Sequence, residues 1–231
     1  MFLDFNYLIF MAPALLLSMA ASFLVQSAFK RYSQVRSARG LTGAEAAAEL
    51  LRRSGINDVR IEVTGGFLSD HYNPVTRTLG LSSDVYHSDS IAAVGVATHE
   101  AGHALQHARN YAPLWVRSAL VPTAGIGSNL GYMVMALGWL LFHSQTLVLV
   151  GAVLFSAVLA FQIVTLPVEF DASARAKRLA VEYGIVLPSE RAGMDRVLNA
   201  AALTYVAAVV ATLMTLIYYL LRSGLIGGRS D

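Results

Sequence analysis

The chain has no cysteine among its 231 residues, so no disulfide framework braces it and no thiolate can bind a metal. Any metal it carries must be held by His, Asp or Glu. Charge is scarce as well: charged residues make up 14% of the sequence, against roughly 25% in an ordinary soluble domain, while hydrophobic residues make up 55%. That balance excludes a typical soluble fold and points to the bilayer. The net charge is only +2. Because the basic residues cluster beside apolar runs, anionic lipid headgroups are their nearer partner and nucleic acid is not expected. No internal repeat or low-complexity segment is present.

What the chain has in their place is four apolar runs, at 7–29, 119–142, 146–166 and 200–221. Each is close to the roughly 20 residues that cross a bilayer core as a helix. Lys30, Arg31, Arg36, Arg39, Arg109 and Arg117 flank the first long loop, and Arg175, Lys177, Arg178, Arg191 and Arg196 lie in the second, against Arg222 and Arg229 after the last run. The positive-inside rule then places both charged loops in the cytoplasm and both termini outside. The first run lacks a basic leader and is followed at once by Lys30-Arg31, which reads as a retained anchor inserted with its N-terminus out.

The chemistry-bearing motif is His99-Glu100-Ala101-Gly102-His103. On a helix, positions i and i+4 share a face with Cβ atoms roughly 5–6 Å apart, close enough for two imidazoles to hold one ion. Glu100 sits about 100° around the helix, where it can serve as a general base on water without ligating. This is a zinc-peptidase arrangement that supplies two of the three protein ligands a catalytic zinc needs. The apolar, small-residue approach from Ile91 to Thr98 favours a buried helix with Ser88 or Ser90 as N-cap. Gly102 in its interior costs about 1 kcal/mol relative to alanine, which implies a close approach to the backbone by a sheet edge or a substrate.

The loop around this motif has room for a small folded domain. Thr42-Gly43-Ala44-Glu45 is a capping box opening a helix to about Arg53, with Gly55 in the position that favours a left-handed residue. Residues 59–63 alternate as a strand does, Gly65-Gly66 and Asn73-Pro74 mark turns, and residues 76–81 read as a second strand. The expected order is helix, strand, strand, motif helix.

Where the chain returns to the same side, His71, His87, His107, Glu169 and Asp171 are candidates for a third ligand. His107 shares the motif face but lies two turns from His99, roughly 12 Å along the axis, too far to join one ion. Glu169 follows the run ending near Pro167 and is expected to open a helix from 168 to 183, where an acidic residue also suits the helix dipole.

The stretches His71-Tyr72-Asn73-Pro74, Leu79-Gly80-Leu81-Ser82, His99-Glu100-Ala101-Gly102-His103-Ala104, Leu166-Pro167-Val168-Glu169-Phe170-Asp171-Ala172-Ser173 and Ala200-Ala201-Ala202-Leu203-Thr204-Tyr205-Val206 together resemble the YugP-like membrane zinc metallopeptidases. The chain is also similar, more distantly, to the HtpX-type membrane peptidases. The resemblance implies an α-helical polytopic membrane protein with four transmembrane helices and a small α+β zincin-like cytoplasmic domain. It implies one Zn²⁺ per chain, Glu169 as third ligand and Glu100 as catalytic base. The HtpX-type pattern has an aspartate four residues after the ligand glutamate; here that place is Ser173, and Asp171 is the nearest aspartate. His71, Asp171, Arg175 and Tyr205 are candidates for supporting the ligands or the oxyanion. Tyr72 is a further possible donor. In related zinc peptidases a sheet edge beside the motif helix pairs with extended substrate, and Arg77, Thr78, Leu79, Gly80 and Leu81 are the candidate strand.

The expected layout is a first span over 1–29, a cytoplasmic peptidase domain over 30–118, two spans over 119–166, a cytoplasmic helical segment over 167–199 and a last span with its tail over 200–231. The expected activity is endopeptidase cleavage of unfolded or membrane-associated polypeptides at the cytoplasmic face of a bacterial inner membrane. Two rivals are an intramembrane protease of the site-2 type and a non-enzymatic membrane scaffold. The first would carry the histidine pair inside a span. The second has no use for Glu100, and a transporter would carry charges within its spans, which hold almost none.

Overall fold

The structure is a computed structural model that describes residues 5–66 and 69–227; Arg229 lies outside the described residues. Its helices are α1 (Phe5–Tyr32), α2 (Gly43–Arg53), α3 (Ser83–Tyr86), α4 (Ile91–Ala108), α5 (Ala112–Ile126), α6 (Tyr132–Leu140), α7 (Gln145–Glu182) and α8 (Arg191–Arg222). The strands are β1 (Arg60–Thr64), β2 (His71–Asn73) and β3 (Thr78–Ser82). Four helical stretches are long and apolar enough to cross a membrane: Tyr7–Tyr32, Ala112–Leu140, Gln145–Glu182 and Arg191–Arg222.

The chain divides into two compact units, one of Met1–Ala21, Trp115–Leu166 and Thr204–Asp231, the other of Ser22–Leu114 and Pro167–Leu203. In the first unit, α5 passes through a π-helical turn at Gly127–Gly131 into α6. The glycines there have a packing reason. A Cβ on Gly127 would stand 2.4 Å from the Leu154 carbonyl oxygen, and one on Gly131 would stand 2.6 Å from the Phe155 nitrogen, so both serve close packing against α7 within the chain. Met135, Val148, Phe155, Leu216, Tyr218 and Tyr219 form the core of this unit.

The second unit is built around α4. The capping box at Thr42 forms as expected: its side chain accepts from the Glu45 amide, and the Glu45 carboxylate accepts from the Thr42 amide at 2.8 Å. The buried stripe Gly43, Ala46, Ala47, Leu50 and Leu51 has the helical i, i+3, i+4, i+7 spacing and lays α2 on the core, while Glu49 pairs with Arg52 and Arg53 outside. Gly55, at φ +78°, ends the helix as the sequence implies. Ser90 caps α4, its hydroxyl accepting from the Ala93 amide at 3.2 Å. Most of α4 is buried, because α2 and the stretch from Ala176 to Leu198 share its core.

The sheet order is β1-β3-β2, with β1 parallel and β2 antiparallel to β3. β3 is therefore central, and all five of its residues are buried. The sequence anticipated β1 and β3 within two residues of their observed ends, but not the three-residue β2, which is too short to show alternation. The expected new helix at 168 does not begin there. α7 runs unbroken from Gln145 through Pro167, so Glu169 is deep inside a helix and not in its first turn.

Candidate metal centre

Two helices build the site. α4 carries His99, Glu100, His103 and Gln106; α7 carries Glu169, Asp171, Ser173 and Arg175. They meet where Gly102 removes a side chain: a Cβ at that position would stand 2.6 Å from the Ala172 carbonyl oxygen. The close approach inferred from Gly102 is thus made by α7, and neither a sheet edge nor a substrate is the partner.

At this crossing the ligand atoms of His99, His103 and Glu169 all lie within 4.8 Å of one another. Glu169 Oε2 is 3.3 Å from His99 Nε2 and 3.6 Å from His103 Nε2. Zinc bonds of about 2.0–2.1 Å in a tetrahedron separate neighbouring ligand atoms by roughly 3.3 Å, so both histidine–glutamate distances suit one ion. The Glu169 side chain is 3% exposed and that of His103 8%.

The protonation pattern fits a cation as well. Gln106, fully buried, donates through Nε2 to the Val168 carbonyl at 2.7 Å and to Asp171 Oδ2 at 2.8 Å. Both hydrogens of its amide are then committed, so Oε1 is the acceptor facing His103 Nδ1 at 3.0 Å. The hydrogen of a neutral His103 sits on Nδ1, and its Nε2 lone pair points at the Glu169 carboxylate. A lone pair facing a carboxylate oxygen is repulsive unless a proton or a cation lies between them. Burial pushes the His103 pKa down, but Glu169, Glu100 and Gln106 outweigh burial and leave it above the ordinary histidine value, which favours a proton between the two groups. His99 Nδ1 is 3.1 Å from Ser173 Oγ, so each histidine has a polar partner behind it. Glu100 is 9% exposed and close enough to His103 to act on its charge.

A family profile described as "Putative neutral zinc metallopeptidase" matches residues 7–224 of the chain. The chain belongs to this family. It is 44% identical over 208 residues to the "Putative membrane protease YugP" of Bacillus subtilis (strain 168), an alignment covering 90% of this chain and 92% of that protein. No solved structure matches it. Family, relative and apolar helices together make it a membrane protein of a zinc metallopeptidase family.

The other residues anticipated for this metallopeptidase site are placed as follows. Asp171 accepts from Gln106 and from Arg175 Nε at 2.6 Å, and the Arg175 guanidinium lies 5.6 Å from the Tyr111 ring centre. Both belong to a chain of contacts running outward from His103. His71 is in β2, where its ring covers Gly80 and its Nδ1 bonds the Ser69 carbonyl oxygen at 2.9 Å. Tyr72 bonds His107 Nδ1 at 2.8 Å. Tyr205 lies in α8, in the other unit. The candidate substrate strand lies mostly in the middle of the sheet. Thr78, Leu79, Gly80 and Leu81 belong to β3, whose two edges are already paired by β1 and β2, and Arg77 stands before the strand at φ +51° in an ion pair with Asp58. β1 pairs along the whole of β3, and β2 pairs with Thr78, Leu79 and Gly80 on its other side. Gln106 was not anticipated, although its place three residues after His103 on one helix face was a usable signal.

Proposed function

We propose that this chain is a membrane-embedded zinc endopeptidase in which His99, His103 and Glu169 hold one Zn²⁺ and Glu100 is the catalytic base. The observation that carries the reading is the meeting of the His99, His103 and Glu169 ligand atoms within 4.8 Å of one another, with both histidine–glutamate distances near tetrahedral spacing, beside a carboxylate that does not share in it. When bound, zinc supplies Lewis-acid activation of water and polarisation of the scissile carbonyl. Glu100 takes the proton released as water attacks that carbonyl and passes it to the departing amine, so the peptide bond breaks with no net proton change on the carboxylate. Gln106 and Ser173 hold the two imidazoles in orientation.

Substrate would lie along β2, whose outer edge is unpaired among the described residues. Tyr72 ties that strand to His107, on the α4 face that also bears His99 and His103. An extended polypeptide pairing there would run past the site by β-augmentation. The cytoplasmic face is favoured by the basic residues flanking the two long loops, and unfolded or membrane-associated proteins of a bacterial inner membrane are the favoured substrates.

The test is metal content and casein cleavage in detergent for the wild type, Glu100→Gln and Glu169→Ala. Glu100→Gln should keep zinc and lose activity by about 10²–10⁴-fold; Glu169→Ala should lose zinc. Wild-type cleavage by Glu100→Gln would end the mechanism, and retained zinc in Glu169→Ala would end the ligand assignment. Free cleavage of soluble peptides with no cleavage of detergent-solubilised membrane proteins would end the substrate assignment.

A further inference from the structure

Away from the metal centre, the end of α1 and the first half of α8 enclose a surface groove of about 540 Å³. Its lining is divided by chemistry. Leu24, Ala28, Ala200 and Leu203 form an apolar part, and Arg31, Arg196, Asn199 and Tyr32 form a polar part. No acidic side chain lines it. The nearby carboxylate of Asp195 is engaged by Arg191 at 3.6 Å and Lys177 at 3.8 Å, outside the groove.

The polar part is arranged to donate. Tyr32 packs where Gly193 has no side chain, since a Cβ there would stand 2.8 Å from the ring. The Tyr32 hydroxyl accepts from Arg196 Nη1 at 3.1 Å, which fixes one guanidinium and leaves the hydroxyl hydrogen to donate. The Arg31 guanidinium lies 5.7 Å from the same ring centre. Lys177 donates to Asn199 Oδ1, so the amide that Asn199 offers elsewhere is its donor end. Two guanidinium groups, a hydroxyl and an amide, with no acidic side chain among the described lining residues, make a phosphate-binding set, and guanidinium suits phosphate geometry. The position decides which phosphate. Both helices are long and apolar enough to cross a membrane; Arg31 stands where the apolar run of α1 ends and Arg196 just before that of α8 begins.

We propose that this groove binds one anionic phospholipid of the bilayer, with Arg31 and Arg196 on its phosphate and Leu24, Ala28, Ala200 and Leu203 along its acyl chain. A choline headgroup would bring a cation to a site that already holds two, so zwitterionic lipid is disfavoured. A free phosphate makes no use of the apolar part.

The test uses full-length protein in detergent, with lipid binding read by native mass spectrometry and by thermal unfolding. The probes are phosphatidylglycerol, phosphatidylcholine with the same acyl chains, and inorganic phosphate. Phosphatidylglycerol should bind and raise the unfolding temperature, and the other two should not. Arg31→Gln and Arg196→Gln should each weaken phosphatidylglycerol roughly fivefold, and together roughly thirtyfold. Tyr32→Phe, which frees Arg196 without removing charge, should weaken it by a smaller factor. Equal response to phosphatidylcholine, equal response to inorganic phosphate, or unchanged affinity in the double variant would each overturn the proposal. Both arginines are exposed, and helix content by circular dichroism shows that the variants are folded. Should the double variant not fold, the single variants decide by the same criterion.

Discussion

Gln106 Oε1 accepts from Nδ1 of His103 at 3.0 Å, while the amide of the same residue is anchored on α7 through the Val168 carbonyl and Asp171. One buried side chain thus sets the tautomer of a histidine on α4 by reference to the helix that supplies Glu169. Replacing Gln106 with leucine keeps much of the volume and removes all three hydrogen bonds. Zinc affinity should fall about 10–100-fold, the usual cost of losing an outer partner of a metal-bound histidine. Competition with a chromogenic chelator measures it. Stability should also fall by about 1–3 kcal/mol as buried groups lose their partners. Unchanged zinc affinity would remove Gln106 from the site.

The contact between Gly102 and Ala172 sets the spacing of the two helices. Gly102→Ala improves intrinsic helix propensity by about 1 kcal/mol and, on propensity alone, should stabilise. A Cβ 2.6 Å from a backbone oxygen cannot be accommodated unless the helices part. The expected result is a protein that binds zinc at least tenfold more weakly, because a shift of a few tenths of an ångström moves Glu169 off the histidines. Calorimetric zinc titration would show it; wild-type affinity in Gly102→Ala would mean that the crossing can relax without cost.

Acidification should release the metal. Burial lowers the His103 pKa, but Glu169 and Glu100 raise it by more, so the metal-free site holds a proton above the ordinary histidine value of about 6.5. Stability from that proton is complete below about 6.5 and is lost as pH rises through the raised value. Zinc bound at the proposed site would take the proton's place. The gap in unfolding temperature between zinc-loaded and chelator-treated protein should therefore widen as pH rises from about 6 to about 8. A gap that stays constant across that range would mean that His103 does not exchange a proton for the metal.

The absence of cysteine makes orientation directly measurable, because a single introduced thiol is the only one present. Val75→Cys, at a position 90% exposed, should react with an impermeant maleimide only after cells are opened. Phe142→Cys and Ile226→Cys, at positions 64% and 42% exposed, should react on intact cells. The opposite pattern would place the metal centre outside.

Local periodicity and capping chemistry carried much of the architecture. The four stretches long and apolar enough to span, the Thr42 capping box, the Ser90 cap and the shared face of His99 and His103 depend only on residues within a few turns of each other, so they can be read along the chain. The short β2 could not be read in this way, nor could the continuity of α7 through Pro167. A three-residue strand is defined by its partner, and proline in a helix costs about 3 kcal/mol, which tertiary packing must offset.

The sequence by itself determined that the protein is a membrane chain whose histidine pair and Glu100 share one helix, because apolar run length and the 3.6-residue repeat are local properties. Only the tertiary structure decided that β3 is central and β2 is at the edge, that Gly102 admits α7, that Gln106 stands behind His103, and that Arg31 and Arg196 face one groove. Each of these joins residues far apart in sequence through the register of two elements. That register is set by how whole surfaces pack, and no short window of residues contains it.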